Sequence, residues 1–122
     1  MSDPAAALQA LLDAKLGAVG APLPSAKGVL LYKLMGKMFA ILTVRGEPSV
    51  ILKCDPHLVE ILKEQYQGVG HRSHLDRRFW ICVTLDSDVP AGEVERLVAG
   101  SYDLIRAGLT RKQRAELEAL AP

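Results

Sequence analysis

The chain contains three apolar-rich runs joined by very short connections, which allow these runs to form only neighbouring antiparallel strands. The runs are Val29–Leu34, residues 37–44 and Ser49–Lys53. Met35 and Gly36 join the first two, and residues 45–48 join the last two, with a glycine in each turn as tight hairpins favour. Connections this short cannot cross over a sheet, so consecutive strands must run antiparallel. This meander predicts the centre of one sheet.

Helix-start and helix-stop patterns divide the remainder of the chain. Ser2-Asp3-Pro4 and Asp55-Pro56 each place an acceptor side chain before a proline, which favours the first turn of a helix. A third helix is predicted to begin near Pro90 and to end in a left-handed cap at Gly108. Thr110 and Gln113 have the spacing of a capping box and predict a short last helix.

Apolar spacing predicts which side of each early helix is buried. The first helix is expected to bury a stripe that continues to Val19, followed by a loop at residues 21–28. The stripe contains Leu8, Leu11, Leu12, Leu16 and Val19. The helix after Pro56 is expected to bury Leu58, Ile61, Leu62 and Tyr66.

Residues 71–85, HRSHLDRRFWICVTL, predict a further strand with an unusual lead-in. With a period of two, the apolar side from Phe79 to Leu85 faces the core, and Trp80 lies on the other side in line with Arg78 and His74. A helix covering Trp80 is the favoured interpretation, because tryptophan is highly buried on average. The alternative is an accessible ring that stacks on a base or on a partner.

These elements predict one α+β domain over residues 1–122, with the order α-β-β-β-α-β-α-α. An antiparallel sheet, made of a meander of hairpins plus a further strand, is expected to pack against helices. Apolar residues make up 49% of the chain, which suits a folded domain. No apolar run approaches the roughly 20 residues that cross a bilayer, and no signal-peptide pattern is present. We therefore expect a cytoplasmic monomer with no membrane association.

Two kinds of chemical site are weakly indicated. Cys54, His57, His71 and His74 have ligand types that zinc accepts, but their spacing does not predict convergence on one point. His74, Asp76, Ser73 and Ser101 offer a base, an acid and hydroxyls, yet none of them lies in a nucleophile elbow. We therefore expect no catalytic residues, no metal site and no cofactor, with a hydrolase or a zinc protein as minor alternatives.

Several segments together resemble the MmcQ/YjbR family, in order over residues 8–118. They are KLMGKMFAIL at 33–42, VILKCDP at 50–56, EQY at 64–66, HLDRRFW at 74–80 and SYDL at 101–104. The family usually has His-Leu-Asn-Lys-Arg-His-Trp-Asn-Thr-Val in the central stretch. Here Asp76, Arg77, Phe79, Ile81 and Cys82 replace five of those residues.

The resemblance implies an antiparallel sheet with packed helices and a DNA-binding role through two hairpin wings. The leading hypothesis is thus a non-enzymatic binding domain for double-stranded DNA, although a net charge of only +1 and the added Asp76 predict weak binding. The expected surface comprises Lys33, Lys37, Lys53, Arg72, His74, Arg77, Arg78 and Trp80. Arg111, Lys112 and Arg114 could extend it. The alternative is a protein-interaction or small-ligand module with an apolar groove formed by Trp80 and Tyr66.

Overall fold

The sheet has six antiparallel strands in the order β1-β2-β3-β4-β6-β5, with four helices, in a computed structural model that describes residues 3–122. The elements are α1 (Pro4–Asp13), β1 (Ala18–Pro22), β2 (Val29–Leu34), β3 (Lys37–Thr43), β4 (Ser49–Lys53), α2 (Pro56–Gln65), β5 (Val69–Gly70), β6 (Trp80–Thr84), α3 (Ala91–Ala107) and α4 (Arg111–Glu118). The predicted α+β class is confirmed. None of the helices in this described part of the chain is long and apolar enough to cross a membrane.

The meander and the helix starts follow the sequence closely. Met35 and Gly36 form the first hairpin turn with φ values of 49° and 81°, the left-handed backbone that this turn type requires. Asp3 and Asp55 cap α1 and α2 through their side chains, and Thr110 forms the predicted capping box at α4. Ser2 lies outside the described residues.

Two strands were not predicted. β1 pairs with β2 where we expected the end of the first helix and a loop, and Val19 lies in this strand with 67% of its surface exposed. A side chain at Gly20 would collide with the ring of Tyr32, whose hydroxyl donates to Asp13 at 2.7 Å. Glycine and proline are poor strand formers, but here Gly20 makes room for the ring and Pro22 ends an edge strand. β5 is only two residues long and pairs with β6.

The helices pack on one face of the sheet. Inward strand residues and the buried helix residues form a single core cluster. The inward strand residues include Tyr32, Leu34, Ala40, Leu42, Val50, Leu52, Ile81 and Val83. Alternation along each strand sends the intervening side chains to the opposite, open face. Ile81, Val83 and Leu85 are buried as predicted for β6.

Ser101 of α3 completes the hydrogen-bonding of the sheet at a bulge. The β2–β3 register shifts after Tyr32, so that Phe39 is an extra residue in β3. Beside it, the fully buried Ser101 hydroxyl accepts from the Lys53 N–H at 2.9 Å and donates to the Phe39 carbonyl at 2.6 Å. One hydroxyl therefore joins β3 to β4 and fixes the position of α3 on the sheet.

The C-terminal end of α3 is capped by side chains from two other elements. Gly108 has φ −86°, so the predicted left-handed cap is wrong. Lys37 donates to the Gly108 carbonyl at 2.9 Å, and Arg114 donates to the carbonyls of Ala107 and Leu109. These cations satisfy acceptors that a left-handed glycine would otherwise help to satisfy, and they complement the negative end of the helix.

Asp88 links the end of α2 to the segment before α3. Its carboxylate accepts the N–H groups of Gln67 and Gly68 at 2.7 and 2.8 Å, and these bonds lower the pKa of Asp88. The start of α2 lies near the middle of α3, because Lys53, shortly before α2, donates its N–H to the Ser101 hydroxyl. Because α2 begins near the middle of α3 and ends near its start, the two helices run antiparallel.

Replacing Ser101 with alanine should destabilise the fold by about 1–3 kcal/mol, because it leaves a buried N–H and a buried carbonyl without a partner. Chemical denaturation of the wild type and Ser101→Ala measures this change in the free energy of unfolding. Ser25→Ala, at an exposed loop serine, is the matched control. Equal stability of Ser101→Ala and the control would show that the bridge contributes nothing.

Asp88→Asn should lower Tm at neutral pH, because the amide removes the charge from the acceptor. A lowered folded-state pKa means that the carboxylate stabilises the fold above about pH 4 and that this contribution is lost as pH falls through the lowered pKa. The difference in Tm between wild type and Asp88→Asn should therefore shrink in acid. Asp103→Asn is the control, and a pH-independent difference would contradict this account.

Candidate functional site

The open face of the sheet brings together three of the eight predicted binding residues. Lys53 is paired with Trp80 across β4 and β6, and Lys33 is paired with Met38 across β2 and β3. Because these residues alternate with buried ones, their side chains share the face opposite the helices. Trp80 is half-buried there, so the predicted cover by a helix is wrong.

An apolar row runs across the open face beside these residues. Direct strand pairings connect its members from β1 to β6. They are Ala21, Leu31, Ile41, Ile51 and Cys82. Ala21 is exposed, the three central members are half-buried, and Cys82 is buried. The solvent face of an antiparallel sheet is usually polar, so an apolar row on it is typical of a contact surface. We call this row and the adjoining Lys33, Lys53 and Trp80 the open face.

The segment between β5 and β6 holds its arginines in different ways. Arg72 reaches Glu47 in the β3–β4 turn at 3.5 Å, and both charges lie near Cys82 at the edge of the open face. Arg78 forms a 2.7 Å ion pair with Asp76, which lowers the pKa of Asp76 to about 2, and it also lies 5.2 Å from the centre of the Phe79 ring. Within residues 3–122, Arg77 forms no ion pair and is exposed.

The remaining predicted residues lie in different parts of the structure. Lys37 is opposite the inward-facing Leu34 and binds the end of α3, so it belongs to the helix side. His74 is exposed in the segment before β6. Arg114 is engaged with α3, whereas Arg111 and Lys112 are exposed on α4. The predicted surface therefore divides into the open face, a neighbouring arginine segment and a separate helical side.

The groupings considered for metal or hydrolytic chemistry do not assemble. Over the described residues, no three His, Cys, Asp or Glu side chains are close enough to hold a metal ion together. Asp76 binds Arg78 rather than His74, Ser101 serves the sheet, and Ser73 accepts the N–H of Leu75. These contacts give the candidate catalytic groups structural roles.

An apolar groove that was not predicted lies between α2 and α3. Trp80 and Tyr66 do not line it. Leu58 and Ile61, predicted to be buried, are exposed in the groove, whereas Val59 and Leu62 face the core. The sequence signal was present: apolar residues at 58, 59, 61 and 62 cover more of α2 than one buried face requires.

Sequence comparisons relate the chain to the YjbR family model and to uncharacterized proteins of Escherichia coli. The YjbR family model matches residues 17–104. The uncharacterized protein YjbR of Escherichia coli K-12 is 35% identical over 71 residues, 57% of this chain and 60% of that protein. The uncharacterized protein YbdF of E. coli O157:H7 is 25% identical over 84 residues, 68% of this chain and 69% of that protein. The chain thus spans 60% of the length of the first curated relatives that it matches.

Solved structures share the fold. A crystal structure of a Deinococcus radiodurans protein with a DUF419 domain superposes with a TM-score of 0.80 at 30% identity, covering 91% of this chain and 85% of that one. A Pseudomonas syringae protein superposes with a TM-score of 0.66 at 22% identity, covering 79% of this chain and 96% of that one. The second likeness concerns the fold alone.

Both thiols should be unreactive in the folded protein. Cys54 and Cys82 are buried, and burial raises the pKa of Cys54 to about 11 and also raises the pKa of Cys82. Because the thiolate is the reactive form, a disulfide reagent such as dithiobis(nitrobenzoate) at pH 8 should modify the native protein far more slowly than the protein in guanidinium. In Cys82→Ala the only remaining thiol is that of Cys54, so the reaction of this variant reports Cys54 alone. Rapid modification of Cys54 in the native variant would contradict the burial argument.

Proposed function

The chain belongs to the YjbR family, and from this premise we propose that it is a non-enzymatic binding domain whose open face binds DNA. Lysines at the margin of the face would contact phosphates, and the apolar row with Trp80 would contact bases. The observation that carries the proposal is the arrangement of Lys33, Lys53 and Trp80 along one side of an apolar row that the helices do not cover.

The charge of the open face favours an anionic ligand more strongly than the net charge of the whole protein does. Strand residues that share this face include Lys33 and Lys53 and no acid, although the net charge of the protein is only +1. Arg72 adds a cation at the margin, but Glu47 is paired with it. Segregated charge of this kind concentrates attraction where a phosphate chain would lie.

The shape of the open face favours single-stranded over double-stranded DNA. The helices leave this face of the sheet free, so exposed bases can lie against its half-buried apolar side chains while phosphates reach flanking cations. A duplex keeps its bases stacked inside, so it would contact the lysines and leave the apolar row unused. We therefore propose single-stranded DNA as the preferred form, with duplex binding weaker.

The proposal predicts that a single strand quenches the fluorescence of Trp80, which is the only tryptophan of the chain. Titration with a short oligonucleotide at low salt should give saturable quenching, and the matched duplex should bind more weakly. Affinity should fall steeply as salt rises, by roughly 0.7 in the logarithmic slope for each phosphate contact to a single strand. Apolar binding without phosphate contacts would depend little on salt.

Charge variants make the test specific to the open face. Lys33→Glu should weaken binding, whereas Lys112→Glu on α4 makes the same change in net charge away from the face and should not. Glu47→Gln should strengthen binding, because it releases Arg72 from its 3.5 Å ion pair. Equal effects of Lys33→Glu and Lys112→Glu, or no quenching at low salt, would refute the proposal.

A further inference from the structure

We infer that the groove between α2 and α3 is a docking site for an amphipathic helix of a partner protein, with basic residues beside the apolar face of that helix. This site is separate from the open face, because the two helices pack on the other side of the sheet. The inference therefore does not depend on DNA binding.

The groove has the length and form of a helix-binding site. The side chains that α2 contributes recur every three or four residues, from Leu58 through Ile61 to Gln65, and α3 contributes a similar stripe from Glu93 to Ala107. That stretch of α3 is about 21 Å long at 1.5 Å per residue, which matches roughly four turns of a bound helix. Two helices with an apolar channel between them are a common receptor for a third.

The walls of the groove expose apolar surface that nothing in the described chain covers. Leu58, Ile61 and Leu104 are 46%, 56% and 38% exposed, and they are three of the six large exposed hydrophobic residues over residues 3–122. The groove holds about 560 Å³ and stays open to solvent along one side. Small ligands are usually buried over most of their surface, so a long open channel fits a helix better.

Gly100 leaves room for a close approach of the partner, although Gly92 of the same helix is equally open and lies outside the groove. Gly100 lies in the middle of α3 and lines the groove, and a side chain there would meet no atom within 4 Å. Glycine inside a helix weakens the helix relative to alanine, and the packing of this domain does not require it at this position. A glycine there allows close approach of a partner backbone, as small residues do between packed helices.

The charge around the groove favours basic residues beside the apolar face of the partner helix. Three carboxylates, those of Asp55, Glu93 and Asp103, line it together with the single cation of Arg96. Lys53 also borders the groove, but strand alternation directs its side chain to the open face. Glu93 is paired with Arg96 at 3.4 Å, whereas Asp103 is exposed and forms no ion pair with the residues described. Lysine or arginine on the partner would complement Asp103 and Asp55.

The test uses designed peptides as probes. A labelled helical peptide with leucines at i, i+3, i+4 and i+7 and flanking lysines should bind saturably in an anisotropy titration. A scrambled peptide of the same composition should not bind, and a version flanked by glutamates should bind more weakly. Two-dimensional NMR should place the perturbed amides on α2 and α3.

Substitutions with matched controls connect binding to the groove. Leu58→Gln with Ile61→Gln should weaken binding by about tenfold or more, because two apolar anchors are lost. Val19→Gln with Leu120→Gln, at exposed hydrophobic residues outside the groove, should not. Gly100→Ala should raise Tm and weaken binding together. Gly92→Ala, the same change in the same helix outside the groove, should leave binding unchanged.

Four outcomes would overturn the inference. The first is absence of saturable binding by the lysine-flanked peptide, and the second is equal binding of the scrambled peptide. The third is a fluorescent fatty-acid probe that saturates the groove when the peptide does not, which would assign a small ligand. The fourth is self-association that Ile61→Gln abolishes, which would assign a second copy of the chain.

Discussion

The packing of α3 against the sheet depends on two hydrogen bonds made by the hydroxyl of Ser101. The β3–β4 pairing begins at Ala40 and Leu52, next to the β2–β3 bulge, and beyond that pair the hydroxyl accepts the N–H of Lys53 and donates to the carbonyl of Phe39. Since that hydroxyl belongs to α3, the same two bonds set the helix against the centre of the sheet. Tyr102, the next residue, packs edge-on against Phe39 and donates to the Leu16 carbonyl, so the connection between α1 and β1 is tied to the same point.

Local rules predicted most of the fold, because hairpins and helix caps are decided by neighbouring residues. The Met35-Gly36 turn, the caps at Asp55 and Thr110 and the inward face of β6 all follow from spacing within a few positions. β1 escaped prediction because its Gly20 serves a distant ring, that of Tyr32, and only tertiary contact reveals this use. The predicted buried face of α2 was wrong in part, because this helix has more apolar residues than one face can bury. The sequence alone does not show which of them face the core.

The candidate site was less predictable, because it depends on which side of the sheet each residue faces and on which charge it meets. Alternation placed Trp80 apart from the core residues of β6, but it could not show that the helices leave that face uncovered. Lys37 resembled the other hairpin lysines in sequence, yet its position opposite Leu34 directs it to the end of α3. Arg114 was predicted only as a possible extension of the binding surface, whereas its acceptors are the last carbonyls of α3, which the sequence could not show.

The two helices that form the groove are held very differently. α3 is fastened at its middle by Ser101 and Tyr102 and at its end by Lys37 and Arg114. α2 buries only Val59 and Leu62, and its end is held by Asp88 through two exposed hydrogen bonds. Segments with few buried contacts and exposed hydrogen bonds move at the lowest cost in free energy. The groove thus has one stiff wall and one compliant wall, so its width can adapt to the side chains it receives while its length stays constant.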